Sequence, residues 1–349
     1  MIITDKEAGI EAGQEFAIDT FCPEDAPGVG RLFKEVYGEA YPAALVYDPI
    51  RLTEAFRKGD NIPLVARTVK GDVIGHGAYF HSGPNLRLYE LGQGLVLPSY
   101  RKSGIIARLQ EYALEEMAPS MELDVVMGET VCNHPYTQKS LALSHLVAMA
   151  LEVDLMPAEA YAKEQSASGR VSTLLMFRTY HPKPHTVYVP QRYRDVFAFI
   201  YEGLDDKRTL SPSLTDGNPT GPHTAITTQI FDFARVARMS VHEGGKDFPS
   251  VFAAEESHAL AKGMVVVQVW FKLSWPWVDS LVEYLRAKGY FFGGPLVQWF
   301  GDDGLLMQKI FGMPSWEEIQ IHSDRGKKIM EYAKEDWERV SPRDAGPGQ

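Results

Sequence analysis

The chain has 349 residues, 45% of them hydrophobic and 23% charged, a composition typical of globular proteins and a length that suggests two domains, each able to bury a core. The formal net charge of −11 repels phosphate backbones, which argues against a nucleic-acid partner while leaving room for a local basic pocket that binds a small anion. Cys22 and Cys132 are the only cysteines, fitting a reducing compartment and suggesting neither a zinc site nor a redox pair; no apolar run is long enough to span a membrane. The opening MIITDKEAG lacks the basic-then-apolar pattern of a secretory leader, so a soluble cytoplasmic protein is expected.

Phe16–Phe21 is expected as a short strand, and Pro23-Glu24-Asp25-Ala26 opens a helix to about Gly38, with proline first and acids in the first turn. A second helix is expected over Pro49–Lys58. Pro63–Val69 and Val73–His81 flank Lys70-Gly71-Asp72 and read as a hairpin. Arg87–Leu97 is the next strand, Ile105–Met117 a helix, Leu123–Val131 a strand, Tyr136–Ala148 a helix and Thr173–Arg178 a closing strand. A strand–helix–strand passage after a hairpin implies a mixed sheet. The proline-bearing stretch Tyr180–Thr186 divides the chain near its middle, giving expected domains 1–180 and 181–349.

The later half repeats part of this order. Pro190–Gly203 reads as a helix, Leu210–His223 as a long loop, Ala225–Phe233 and Ala234–Val241 as strands, and Ser250–Lys262 as a helix. Val265–Leu273 follows as a buried strand, Trp277–Lys288 as an amphipathic helix stopped by Gly289, and Leu305–Ile310 as a last strand. Trp316–Val340 is expected as a charged amphipathic helix docking on the second domain. The echo of Leu174-Leu175-Met176-Phe177-Arg178 in Leu305-Leu306-Met307-Gln308-Lys309, with the matching element order, suggests duplication.

The chemistry concentrates in Tyr89–Met117. An apolar strand ends at Pro98, and Gly104 precedes a strong helix whose first N–H groups are unpaired and point along the axis, a ready site for a pyrophosphate. Arg101 and Lys102 add positive charge, and Gly104 permits close backbone approach. The plainer alternative is a strand-to-helix turn with surface cations. Gly92 and Gly94 inside the preceding strand mark a bulge or a close approach. A bulge there splays the strand from Leu123–Val131 and frees backbone groups for an extended amide-bearing ligand; a bend set only by packing is the alternative.

This strand–loop–helix resembles the signature segment of the GNAT N-acyltransferases, whose loop reads Arg/Gln-x-x-Gly-x-Gly/Ala. Arg101-Lys102-Ser103-Gly104-Ile105-Ile106 matches at Arg101 and Gly104 and departs at Ile106, which implies a helix start raised from the phosphates and weaker affinity. The resemblance covers about Phe16–Arg178 and extends more loosely over Thr186–Ile310. It implies an α/β (α+β) fold of two tandem GNAT-like domains, each a mixed, mostly antiparallel sheet flanked by helices, the second a degenerate copy. It also implies an N-acetyltransferase that takes acetyl-CoA or another acyl-CoA as substrate and acylates an amine; the acidic charge points to a small amine or amino compound as acceptor and away from nucleic acid, no apolar run suits a membrane partner, and no histidine spacing suits a metal. A homodimer is compatible with the resemblance. Leu95, Val96 and Leu97 would hold pantetheine through their backbones, and Arg101, Lys102, Ser103, Gly104, Ile105 and Ile106 would line the pyrophosphate; apart from the resemblance, Asn133 offers an amide for cofactor or substrate, with a plain turn or cap role as the alternative. His242–Pro249 lacks the loop pattern in the second copy, and Asp247 would oppose a phosphate, so only the first half is expected to bind CoA.

Attack on a thioester needs a base for the amine proton and a donor to the departing sulfur. Glu90 matches the family's carboxylate on the signature strand, and Glu129 is the second candidate. The family's tyrosine on the helix after Glu129 is missing near Leu141, and His145-Leu146 stands for its Gly-Phe pair. Tyr136, Ser140, His134 and Cys132 remain as donors, Tyr136 having the suitable phenol. Without that tyrosine, a non-catalytic acyl-CoA-binding or regulatory protein is the alternative function. A tandem transferase using aminoacyl-tRNA is disfavoured by the CoA-type loop and the negative charge. Trp270, Trp275, Trp277 and Trp299 are expected in the core of the second half, and His181 and His185 sit on no common helical face for a metal.

Overall fold

The computed structural model describes residues 9–39, 41–161, 168–204, 206–214 and 217–341; the opening eight residues of the expected leaderless start, and 215–216 of the expected long loop, lie outside them. The chain forms two compact units. One takes the chain to Glu129 together with Lys139–Leu146, and the other takes Thr130–Gln138 and everything from Val147.

In the first unit, β1 (Phe16–Thr20) leads through a 3-10 turn at Pro23–Asp25 into α1 (Ala26–Tyr37), followed by α2 (Pro49–Lys58), β2 (Asn61–Thr68), β3 (Val73–Phe80) and β4 (Leu88–Val96). Asp48 caps α2 by accepting from the Ile50 and Arg51 N–H groups, and Gly59 ends it in the left-handed region at φ 77°, so local sequence alone fixes both ends. A 3-10 turn at Pro98–Tyr100 precedes α3 (Ile105–Glu111), a π turn over Tyr112–Met117 and the short α4 (Ala118–Ser120). The single helix expected over Ile105–Met117 is therefore interrupted. β5 (Val125–Val131) and α5 (Tyr136–Leu143) straddle the division between the units. Within this unit the strand order is β1-β2-β3-β4-β5, antiparallel except for the parallel β4–β5 pair.

The second unit contains β6 (Val147–Met156), β7 (Val171–Thr179), β8 (His185–Val189), α6 (Arg194–Tyr201), β9 (Arg208–Pro212), β10 (Ala225–Phe231), β11 (Val236–Glu243) and α7 (Phe248–Ala261). It continues through β12 (Val266–Lys272), α8 (Val278–Ala287), β13 (Phe291–Leu296), β14 (Gly304–Ile310) and α9 (Asp324–Val340). Its five-stranded sheet runs β10-β11-β12-β14-β13 with one parallel pair, β11–β12, while β8 and β9 form a parallel ribbon. Both units thus combine a mixed, mostly antiparallel sheet with flanking helices.

Four strands were not expected. The helix over Tyr136–Ala148 stops at Leu143, where His145 turns left-handed at φ 64°, and β6 begins at Val147. β6 is buried on both faces, so its apolar run carries no period to tell strand from helix. β13 (FFGGPL) has the same defect, β8 begins inside a stretch whose prolines read as loop, and β9 runs into another. Trp316–Val340 breaks into a 3-10 turn at Trp316–Glu318 and α9, which starts where the Ser323 hydroxyl accepts from the Gly326 N–H at 3.0 Å. α9 packs on β13 and β6, and its buried Asp336 accepts from the Tyr193 hydroxyl at 2.7 Å and the Phe292 N–H at 2.9 Å. Because β6 also packs on β13 and β14, the second compact unit begins near residue 147, upstream of the proline-rich seam at 180. No helix among the described residues is long and apolar enough to cross a membrane.

Candidate functional site

The parallel pair β4–β5 is short. Leu88, Tyr89 and Glu90 pair with Val125, Val126 and Met127, and beyond them the two strands have no register with each other. The cause lies on the other side of β4. Ala78 pairs with Gly92 and His76 with Leu95, so Gly77 alone faces two residues, Gln93 and Gly94. This is a β-bulge, which bends a strand and increases its twist. The residue in the left-handed region is Gln93 at φ 55°, not either flanking glycine. Gly92 is needed for space: a Cβ there would meet the Phe80 ring at 3.0 Å and Glu90 Oε1 at 3.4 Å. Leu95, Val96 and Leu97 have buried side chains, leaving their backbones as the groups on offer. The Leu97 N–H donates to Ile74 O at 2.8 Å on the β3 side, so alternation turns the Val96 N–H toward the opening.

The loop after β4 is held from beneath. The buried Tyr100 donates its hydroxyl to Glu11 O at 2.6 Å and accepts from the Gln14 N–H at 3.1 Å. Ser103 donates both its N–H, at 3.0 Å, and its hydroxyl, at 2.6 Å, to Tyr100 O, which commits that hydroxyl to the loop itself. Gly104 is required by its backbone, φ 77°, rather than by crowding, since a Cβ there would touch nothing within 4 Å. The N–H groups of Gly104, Ile105, Ile106 and Ala107 have no acceptor among the described residues; the first helical bond is Arg108 N–H to Gly104 O at 3.1 Å. Arg101, Lys102, Ser103 and Gly104 are exposed around them. Ile105 is buried against Gly75, where a Cβ would lie 2.4 Å from its Cγ2, so this glycine lets α3 sit close to the sheet. The helix starts at Ile105 despite Ile106, whose side chain is 36% exposed and lies over Gly94.

Pairing puts Glu90 and Glu129 on one face of the sheet. Glu90 is opposite Met127, and Glu129 is two residues further along β5, where the strands have parted. Phe80 is opposite Glu90 and shares its face, as do Ala78 and His76. α1 covers this face, with Phe33 edge-on to His76 at 5.2 Å. Tyr41 follows α1 and packs against Phe33 at 4.8 Å and Tyr37 at 5.1 Å, while its N–H donates to the Tyr47 hydroxyl at 3.1 Å. Burial pushes the Tyr41 phenol far above its ordinary range, and Tyr37, the Glu90 carboxylate, Tyr47 and the Glu129 carboxylate add to the rise. Tyr41 therefore stays protonated. Glu90 is itself buried and accepts from the Ser82 hydroxyl.

The first unit thus brings together the cradle, the open strand edge, Glu90 and Glu129. Tyr136 and Asn133 belong to the second unit. Tyr136 is 74% exposed with its ring against His134, and Asn133 is buried. Sequence reasoning missed Tyr41, Tyr37, Tyr47, Phe33 and His76. The aromatic density of the stretch from Phe33 to Tyr47 was the available signal.

The corresponding passage of the second unit is built differently. β11 and β12 stay zipped through six successive pairs, from Val236–Val266 to Val241–Phe271. Before α7, the Gly245 N–H donates to the Thr224 hydroxyl at 2.9 Å, the Lys246 N–H to Gly221 O at 3.0 Å and the Asp247 N–H to Pro222 O at 3.3 Å. A Cβ on Gly245 would lie 2.3 Å from the His223 carbonyl carbon, and one on Gly244 would lie 2.3 Å from the Trp277 ring. The chain fills this place with its own backbone and an indole. Trp270 and Trp299 are buried edge-to-face at 4.6 Å, as core residues.

No family model matches the sequence, and no curated protein matches it. Among solved structures, spermidine/spermine N-acetyltransferase SpeG from Vibrio cholerae is similar to 48% of this chain over 92% of its own length, at 15% identity and a TM-score of 0.37. The ribosomal-protein-S5-alanine acetyltransferase from Vibrio fischeri matches 47% of this chain over 92% of its length, at 13% identity and 0.39. An N-acetyltransferase from Staphylococcus aureus Mu50 matches 47% over 98%, at 14% identity and 0.38.

Proposed function

We propose that the protein is an acyl-CoA-dependent N-acyltransferase of GNAT type, with acetyl-CoA as the expected donor and a small amine as acceptor, working from one site in its first unit. The single observation that carries this reading is the junction of the open β4 edge with the free N–H groups of Gly104–Ala107 beside Arg101 and Lys102. An extended diamide can complete the edge, and a pyrophosphate can occupy the helix start. Domains 1–180 and 181–349 are proposed as tandem copies. Support for the copy comes from the shared sequence of one antiparallel and one parallel pairing, β3–β4–β5 and β10–β11–β12.

In the proposed reaction, Glu90 takes a proton from the acceptor ammonium, and the neutral nitrogen attacks the thioester carbonyl carbon. The carbon–sulfur bond breaks with its electron pair going to sulfur. Tyr41, rather than the exposed Tyr136, gives its hydroxyl proton to that sulfur and regains one from Glu90, while the second proton lost by the nitrogen as the amide forms passes to solvent, so that amide, CoA thiol and one released proton leave with no net change in the enzyme. Glu129 and the rings of Tyr37, Tyr47 and Phe33 offer a cationic acceptor negative charge and aromatic faces.

Titration calorimetry with CoA is expected to give one site per chain, and acetyl-CoA with a panel of amines is expected to give acylated products by mass spectrometry. Glu90→Gln should lower kcat by about 10²-fold or more, and Tyr41→Phe should do so more than Tyr136→Phe. Binding without turnover on any amine favours the non-catalytic acyl-CoA-binding alternative. Two equal CoA sites overturn the single-site assignment.

A further inference from the structure

We infer that His76 is a positioning residue that locks the bulge of β4 and so keeps the strand edge at Leu95–Leu97 open for the acyl-CoA; the inference rests on the acyltransferase reading above. In Gly92-Gln93-Gly94 a glycine stands on either side, yet the residue held left-handed, at φ 55°, is the glutamine. A side-chain-bearing residue enters that region at a cost, so neighbouring contacts must hold it there. Two do. His76 Nδ1 lies 3.0 Å from Gln93 O, and Gln93 Oε1 accepts from Asn61 Nδ2 at 3.3 Å. A carbonyl can only accept, so Nδ1 carries the proton and the tautomer is fixed.

The imidazole is fully buried on the face covered by α1, edge-on to Phe33, and burial pushes its pKa down to about 4. It is therefore a neutral, unchanging donor at physiological pH. Its Nε2 has no partner among the described residues, so the ring is kept for what Nδ1 does. Nδ1 reaches the bulge itself, where Gly77 faces two residues of β4 and no ladder partner exists for the extra carbonyl. Without that donor, the cheapest repair is to expel the extra residue and slide β4 by one. A one-residue slip sends Leu95 and Val96 to opposite faces and removes the bend that parts β4 from β5.

The full-length chain tests this with two substitutions. His76→Asn offers an amide N–H near the position of Nδ1, whereas His76→Phe fills the space without a donor. Calorimetry with CoA should show about tenfold weaker binding for His76→Phe, the loss of one buried hydrogen bond, and near-normal binding for His76→Asn. Amide hydrogen exchange should quicken over Gly92–Leu97 in His76→Phe alone. Equal affinity and equal exchange in both variants overturn the inference, as does equal weakening of both with a matching loss of stability. If the wild type itself binds no CoA, the acyltransferase reading fails, while the exchange contrast between the variants still decides whether His76 locks the bulge.

Discussion

Two strand–loop–helix passages in this chain have the same order of elements and opposite fates. From β4 to α3 the strand is bulged, its parallel pairing stops after three residues, and four N–H groups at the helix start are free among exposed Arg101 and Lys102. From β11 to α7 the strand is regular, the pairing runs through six residues, and the N–H groups of Gly245, Lys246 and Asp247 ahead of the helix are taken by Thr224, Gly221 and Pro222. A helix start is a general anion site. Whether it is available depends on what the rest of the chain does with those donors. The same order of elements thus does not make the same site, because three hydrogen bonds from loop N–H groups and one tryptophan suffice to close it.

The largest effect should come from charge. Reversing both cations, Arg101→Glu with Lys102→Glu, should weaken CoA binding about 10²-fold, two lost charge-assisted contacts at roughly 1.5 kcal/mol each. Lys246→Glu before α7 should leave it unchanged; an equal loss would show that the second passage binds after all.

The paired glycines should separate binding from folding. Gly245→Ala drives a Cβ into the His223 backbone and should cost about 2 kcal/mol by urea unfolding, with the CoA affinity of the folded protein intact. Gly104→Ala should cost only about 1 kcal/mol, for φ 77°, yet weaken CoA.

The smallest effect is a pH contrast between two buried histidines. His76 in the first unit has its pKa pushed down by burial to about 4. Below the ordinary histidine value of about 6.5 the unfolded chain binds a proton that the folded one refuses, so stability should fall by about 1 kcal/mol by about pH 5.5. His185 in the second unit runs the other way. Burial acts to lower its pKa, but Asp303 at 3.2 Å and the carbonyl of Lys183 raise it on balance. Its contribution is complete below the ordinary value and is lost as pH rises through the raised one. Stability curves of His76→Phe and His185→Gln, each flattened on its own side of neutrality, would check both signs.

Much of this was legible in the sequence where local rules suffice. Pro49–Lys58 has its cap and its stopping glycine in the sequence, and the helix lies between those limits. The strand, loop and helix around Arg101–Ile106 are where the motif put them, and Gly92 with Gly94 marked the bulge. The strands β6 and β13 were not legible, since runs buried on both faces lose the alternation that distinguishes strand from helix. Glu90 was singled out because it lies on the motif strand. Tyr41 was not, because it stands in a turn roughly fifty residues earlier, and only folding packs it against Phe33 on the face that Glu90 shares.

The sequence by itself determined the loop chemistry, the glycine that starts α3 and the carboxylates on the two parallel strands, because these depend on residue type and short spacing. Only the tertiary structure decided that Gln93, between two glycines, takes the left-handed turn, that His76 holds it there, and that residues 221–224 take the N–H groups of the loop ahead of α7. Those outcomes are competitions for backbone donors and acceptors among distant segments, and folding settles them by satisfying each buried group with whichever partner the packed chain brings within reach.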